Sequence, residues 1–116
     1  MTVQMTHRRG VPVAQVCGEV DAVSATTLAH ELFAGVPNTA PGLVLDLTET
    51  TVLDSVGVRL LFETVERLGR RGQRLRVVIT ADSVVEDIAR LCDLESYAAL
   101  DLEVDSAVAQ LSGARR

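Results

Sequence analysis

Lysine and tryptophan are both missing from these 116 residues, aromatic side chains make up only 3% of them, and the histidines number two. The lack of lysine excludes Schiff-base chemistry, a P-loop lysine and any phosphoacceptor site that depends on a lysine partner. With so few aromatic rings, stacking of nucleobases is not the expected binding mode, and aliphatic packing must supply the stability of any core. The cysteines, Cys17 and Cys92, show neither C-x-x-C spacing nor a disulfide framework, and their apolar surroundings predict two small buried hydrophobes. No apolar run approaches the roughly 18 residues a membrane span needs, and no leader pattern opens the chain, so the expectation is a cytoplasmic protein without a membrane partner.

Net charge is −5. That balance argues against nucleic acid, whose phosphate backbone selects clustered cations. The one basic cluster, Arg67 to Arg76, straddles an expected helix end, where cations complement the helix dipole. What the chain does have is aliphatic residues in short periodic runs, 47% hydrophobic in total, enough for one core in a chain of this size.

Residues 2–7 and 11–17 alternate apolar and polar positions around Arg8-Arg9-Gly10, predicting an N-terminal hairpin. VSATTLAHELF follows, a helix with Ser24 as N-cap and Ala25, Leu28 and Leu32 on one face, ending before Gly35 and Pro37. Residues 43–48 form a buried strand in which Asp46 is the polar exception. A helix runs from about Ser55 to Leu68 and stops at Gly69; residues 75–80 form a further buried strand. Asp82 or Ser83 caps a third helix, with Val84, Val85, Ile88, Leu91 and Cys92 on one face. A strand over 100–104 and a short helix after Asp105-Ser106 complete the chain, leaving a frayed tail. The order β-β-α-β-α-β-α-β-α implies an α/β domain with right-handed crossovers and a mostly parallel sheet made mixed by the hairpin. Four helices cannot cover both faces evenly, so one face should be better covered than the other.

Asp54-Ser55 stands where a strand gives way to a helix, a position that can carry chemistry. A serine hydrolase would need a nucleophile elbow of the G-x-S-x-G kind with a base beside it. Here position 53 is leucine, and neither His7 nor His30 stands at a recognisable spacing from Ser55. The D-x-x-G at 54–57 has no P-loop to accompany it, and Asp46, Glu49 and Asp54 have no histidine or cysteine partner for a metal. No metal, cofactor or catalytic residue is expected. A receiver domain has this length and alternation but needs a lysine. Two readings of Ser55 remain: a helix cap, contributing about 1 kcal/mol, or an exposed hydroxyl offered to another protein.

Three segments then suggest a family. Gly18-Glu19-Val20-Asp21, Leu45-Asp46-Leu47-Thr48 and Leu53-Asp54-Ser55-Val56-Gly57 resemble, in order and spacing, the motifs of the STAS domains of bacterial anti-sigma factor antagonists. The resemblance runs from about residue 2 to residue 112. It implies a single STAS-like domain over residues 1–116, with a core of about 2–112 and a tail at 113–116. It also implies that the unphosphorylated protein binds an anti-sigma factor with serine kinase activity and so frees a sigma factor. Phosphorylation of Ser55 switches this off, and a PP2C-type phosphatase restores it. The protein would be a substrate, not an enzyme. Asp21, Asp54, Ser55, Val56 and Gly57 are the partner-binding residues the resemblance implies, with Asp21 at the same end of the sheet as Ser55. Gly57 would allow close approach of the partner or ease the first helical turn. Val56 stands where the family usually has a second hydroxyl residue. That departure keeps an alternative in view, a STAS module that is never phosphorylated and serves as an interaction or scaffold domain in transport or stress signalling. Oligomeric state is left open.

Overall fold

A computed structural model describes residues 1–113. The chain opens with β1 (Thr2–Arg8) and β2 (Val11–Val20), antiparallel strands joined through Arg9 and Gly10. Both turn residues have positive φ, 54° and 77°. This is the type I′ geometry that matches the twist of the flanking strands. Next come α1 (Ala22–Ala34), β3 (Gly42–Asp46), β4 (Thr50–Leu53), α2 (Ser55–Arg70), β5 (Arg74–Val78), α3 (Val84–Leu91), a single 3-10 turn at Leu94–Ser96, β6 (Ala99–Asp101) and α4 (Val104–Gly113). The sheet has the order β1-β2-β3-β5-β6, with β4 pairing to β2, and every pair except β1–β2 is parallel. The expected mixed, mostly parallel sheet with an N-terminal hairpin and four helices is what forms.

The two faces of the sheet are unequally covered, also as expected. On one, α1, α2 and α3 pack over Ala14, Val16, Leu43, Leu45, Val77 and Ile79. On the other, α4 alone sets Ala107, Val108 and Leu111 against Val11, Val13, Val44 and Val78. Strand alternation does the sorting, since successive side chains of β2, β3 and β5 point to opposite faces.

Several boundaries differ from expectation for local physical reasons. β4 was not anticipated. The apolar run 43–48 ends as a strand at Asp46, whose Oδ1 accepts from the Thr48 N–H and hydroxyl at 2.9 and 2.7 Å. That Asx turn steps the chain sideways, and Thr50–Leu53 then pairs with the second half of β2. Gly18, at φ 93°, stands at the register shift between the two halves of that strand. α2 passes Gly69 and ends at Arg70, with the left-handed turn position taken by Gly72 at φ 71°. α1 is capped by Asp21, with Ser24 as the third helical residue. Ser83, not Asp82, caps α3, accepting from the Glu86 N–H at 3.1 Å. Val84 and Leu91 belong to the outer face of α3, 63% and 87% exposed, leaving Val85 and Ala89 as its buried residues. β6 is shorter than the expected 100–104, α4 begins at Val104, and it continues through Ser112 and Gly113, part of the anticipated tail. The rest of that tail, 114–116, lies outside the described residues. Both cysteines are half-buried, not fully so.

The arginines of the basic cluster serve the fold. The Arg67 guanidinium lies 3.8 Å from the centre of the Phe33 ring, Arg71 donates to the Val36 carbonyl at 2.8 Å, and Arg76 forms two bonds to Asp101 at 2.8 and 3.1 Å. Among the described residues no helix is long and apolar enough to cross a membrane, and no group of three or more potential metal ligands occurs.

Candidate functional site

β2 and β4 are parallel neighbours whose last residues pair, Val20 with Leu53. The next residues are Asp21 and Asp54, and the Asp54 N–H donates to the Val20 carbonyl at 3.3 Å. Register alone therefore sets two aspartates side by side, each at the point where a strand delivers the chain into a helix. Asp21 and Ser55 do lie at one end of the sheet.

Both aspartates are N-caps. Asp21 Oδ1 accepts from the backbone N–H groups of Val23 and Ser24 at 3.1 and 3.0 Å. The Ser24 hydroxyl accepts in return from the Asp21 N–H at 3.0 Å. This reciprocal box holds the Asp21 carboxyl below the ordinary carboxylate range, chiefly through the Ser24 N–H and then the Ser24 hydroxyl, because these bonds favour the charged form. At α2, Asp54 Oδ1 accepts from Val56 and Gly57, each at 3.0 Å, and its carbonyl takes the Val58 N–H at 2.9 Å.

The aspartate caps free the serine. Ser55 is the first residue of α2 and is exposed, while two of the orphan donors of that turn, the Val56 and Gly57 N–H groups, are met by Asp54. Of the two sequence readings, the capping role thus falls to the preceding residue. A phosphate on Ser55 would find the N–H groups of Val56 and Gly57 already occupied by the Asp54 carboxylate.

Gly57 and Val56 divide by face. Gly57 is buried, and a Cβ there would lie 2.6 Å from Leu53 Cδ1, 3.1 Å from Val20 Cγ1 and 3.3 Å from the Val20 carbonyl oxygen. The close approach its lack of side chain permits is between α2 and the β2–β4 ends, inside the molecule. Val56 is half-buried and opens onto a groove of about 310 Å³ between α1 and α2, lined also by Ala25, Thr26, Ala29, Arg59 and Glu63. Sequence reasoning missed the exposed apolar residues of this end. Val23 in the first turn of α1, Val52 on β4 and Val84 in the first turn of α3 are 89%, 42% and 63% exposed. Val23 alone stands outside the expected buried stripe of its helix, whereas Val84 fits the stripe expected for α3 and Val52 lies on the strand that the sequence does not announce. His7 and His30 are both exposed, on β1 and α1.

A hairpin-led mixed sheet with an exposed hydroxyl at the start of the helix after β4 defines a small α/β domain. The family model described as STAS domain matches residues 2–107, and the chain belongs to that family. A structure described as an anti-sigma factor antagonist from Mycobacterium paratuberculosis is 31% identical and superposes with a TM-score of 0.84, over 95% of this chain and 92% of that one. The anti-sigma factor antagonist SpoIIAA in its unphosphorylated form shares the fold at a TM-score of 0.76 and 17% identity, over 97% of each chain. Among curated proteins, the anti-sigma-F factor antagonist RsfB of Mycobacterium tuberculosis is 33% identical over 70 residues. That match covers 60% of this chain and 57% of the relative, a little over half its length.

Proposed function

We propose that this protein is an anti-sigma factor antagonist. In its unphosphorylated form it docks on an anti-sigma factor with serine kinase activity, through the end of the sheet that bears Asp21, Asp54, Ser55 and Val56, and thereby releases a sigma factor. The kinase esterifies the Ser55 hydroxyl at the expense of ATP and a PP2C-type phosphatase reverses this, so the protein is a substrate and acts in the cytoplasm. The observation that carries the reading is the exposed Ser55 at the head of a helix whose cap is supplied by Asp54. A hydroxyl that the fold does not use for capping can be modified without unmaking the turn. The exposed Val23, Val52 and Val84 add apolar surface to the same end, as a protein partner requires. Gly57 supports the site from within.

Charge accounts for the switch. A phosphate adds about −1.5 to −2 charges at neutral pH. One such charge roughly 4 Å from a partner carboxylate costs about 4 kcal/mol at an effective dielectric near 20, close to a thousandfold in affinity. Val56 favours a second reading, in which the same end binds a partner in a scaffold or transport assembly without being phosphorylated, since it replaces a hydroxyl with an aliphatic side chain facing the α1–α2 groove. Incubation with the cognate kinase and ATP separates the two. The expected result is one phosphate, mapped to Ser55 and lost in Ser55→Ala. Phosphate on a threonine, or none while the partner still binds, would defeat the switch.

A further inference from the structure

The cap at Asp54 leaves a phosphate on Ser55 almost no backbone to bind. The Val56 and Gly57 N–H groups are given to Asp54 Oδ1, the Val58 N–H to the Asp54 carbonyl and the Asp54 N–H to the Val20 carbonyl. Of the donors that open α2, only the N–H of Ser55 itself is left among the described residues. The group would also stand beside the Asp54 charge, so it calls for a cation.

The chain has no lysine, and most of its arginines are committed elsewhere. Arg8, Arg70, Arg76 and Arg90 are paired with carboxylates, while Arg67 lies over the Phe33 ring and Arg71 donates to the Val36 carbonyl. Arg9, in the β1–β2 turn, and Arg74, at the start of β5, stand at the opposite end of the sheet, because β2, β4 and β5 run parallel and Ser55 follows the last residues of β4. Arg59 remains. It is exposed, makes no ion pair among the described residues and follows Ser55 by four positions on α2. Residues four apart share a helix face, with about 5–6 Å between their Cβ atoms, and helical side chains lean toward the N-terminus. Arg59 therefore reaches back toward the turn that Ser55 begins, in the favourable order of anion before cation.

We propose that Arg59 holds the phosphate of Ser55 in cis. The inference rests on Ser55 being phosphorylated and adds where the modified protein keeps the group. A guanidinium meets two phosphate oxygens at once, and Arg59 borders the α1–α2 groove, so the pair sets the phosphate at that groove. The charged residues that share the β2–β4 end and the groove, Asp21, Asp54 and Glu63, are carboxylates and offer the phosphate nothing. Arg59 offsets one of the phosphate's roughly 1.5 to 2 negative charges, and the remainder still repels a partner carboxylate. An aspartate at position 55 is one bond shorter than phosphoserine and carries about half its charge, so Ser55→Asp engages Arg59 little.

The test installs phosphoserine at position 55 during translation, through a reassigned stop codon, so that no kinase is needed. The second ionisation of the phosphate is followed by 31P NMR against pH in the parent, Arg59→Gln and Arg59→Lys. A unit charge about 4 Å away in water-like surroundings favours the dianion by about 0.7 pH unit. The midpoint in Arg59→Gln should therefore lie higher than in the parent by about that amount. Arg59→Lys should recover part of the difference, and 1 M NaCl should shrink it. Coincident midpoints in the parent and Arg59→Gln, or a difference that neither Arg59→Lys nor salt reduces, would overturn the proposal. A cognate kinase that leaves Ser55 unmodified would defeat the phosphorylation switch without moving these midpoints, so the two failures are told apart.

Discussion

Because Asp54 already occupies the first turn of α2, negative charge on Ser55 should be felt by the fold as well as by a partner. Consider Ser55→Asp. The new carboxylate stands next to Asp54, whose Oδ1 lies 3.0 Å from both the Val56 and Gly57 nitrogens. Taking about 6 Å between the charges and an effective dielectric of about 40, between surface and bulk values, the repulsion is roughly 1.4 kcal/mol. The helix dipole returns about 0.5 kcal/mol to any anion in the first turn. The net cost is about 1 kcal/mol, or a melting temperature lower by about 4 °C for a domain of this size. In an Asp54→Asn background the repulsion vanishes while the cap persists, since asparagine caps as well as aspartate. There Ser55→Asp should be neutral or slightly stabilising. Urea unfolding of the four proteins in this cycle should therefore give a coupling energy of about 1.4 kcal/mol, the full repulsion, since the dipole gain is common to both backgrounds, shrinking at 1 M NaCl, where the screening length is about 3 Å. A coupling near zero at low salt, or one that salt leaves unchanged, would refute the reasoning. Collapse of the fold in Ser55→Asp would show that the serine is structural after all.

Gly57→Ala sets a gain of up to about 1 kcal/mol in helix propensity against overpacking of about 1–3 kcal/mol, since the added methyl meets Leu53 and Val20. Net destabilisation of about 1 kcal/mol is expected by thermal denaturation, and an unchanged or higher melting temperature would show that α2 shifts freely. The depressed Asp21 carboxyl implies a pH dependence. Its contribution is fully present above the unfolded value, near pH 4, and is lost as pH falls through the lower folded value. Chemical denaturation across this acid range should show Asp21→Asn with a shallower loss of stability than the parent, and identical slopes would contradict the capping-box origin. Ser24→Ala removes the reciprocal bond and should move the Asp21 titration, followed by NMR, back toward its ordinary value.

Elements with strong period were readable from residues alone. Val11 and Val13 against Ala14 and Val16 divide as a strand must, and Leu28 and Leu32, or Leu60, Leu61 and Leu68, mark the buried side of their helices. What escaped was decided by side chains bonding to backbone at a distance of two or three residues. Asp46 breaks a run whose hydropathy reads as continuous. Asp21 displaces Ser24 as cap because its carboxylate reaches two N–H groups while the serine returns to the Asp21 N–H. Gly69 and Gly72 are indistinguishable by composition, and only the latter adopts positive φ. Val84 and Leu91 fit a helical stripe, yet the face they share points outward.

The site follows the same division. That Asp54-Ser55 begins a helix is a local property, visible in the chain. That Asp21 stands beside it depends on β4 continuing along β2 past the end of β3, a pairing between residues 18–20 and 50–53. The Asx turn at Asp46 makes that continuation possible by ending β3 early. Asp46 therefore shapes the site from a distance, because its Oδ1 steers the chain toward the Ser55 end. Asp46→Asn should preserve that role, since the amide oxygen still accepts from Thr48. If Asp46→Asn instead abolished phosphorylation at Ser55 by the cognate kinase while the protein stayed folded, the steering of β4 would depend on the charge of residue 46 and not on its hydrogen-bonding oxygen.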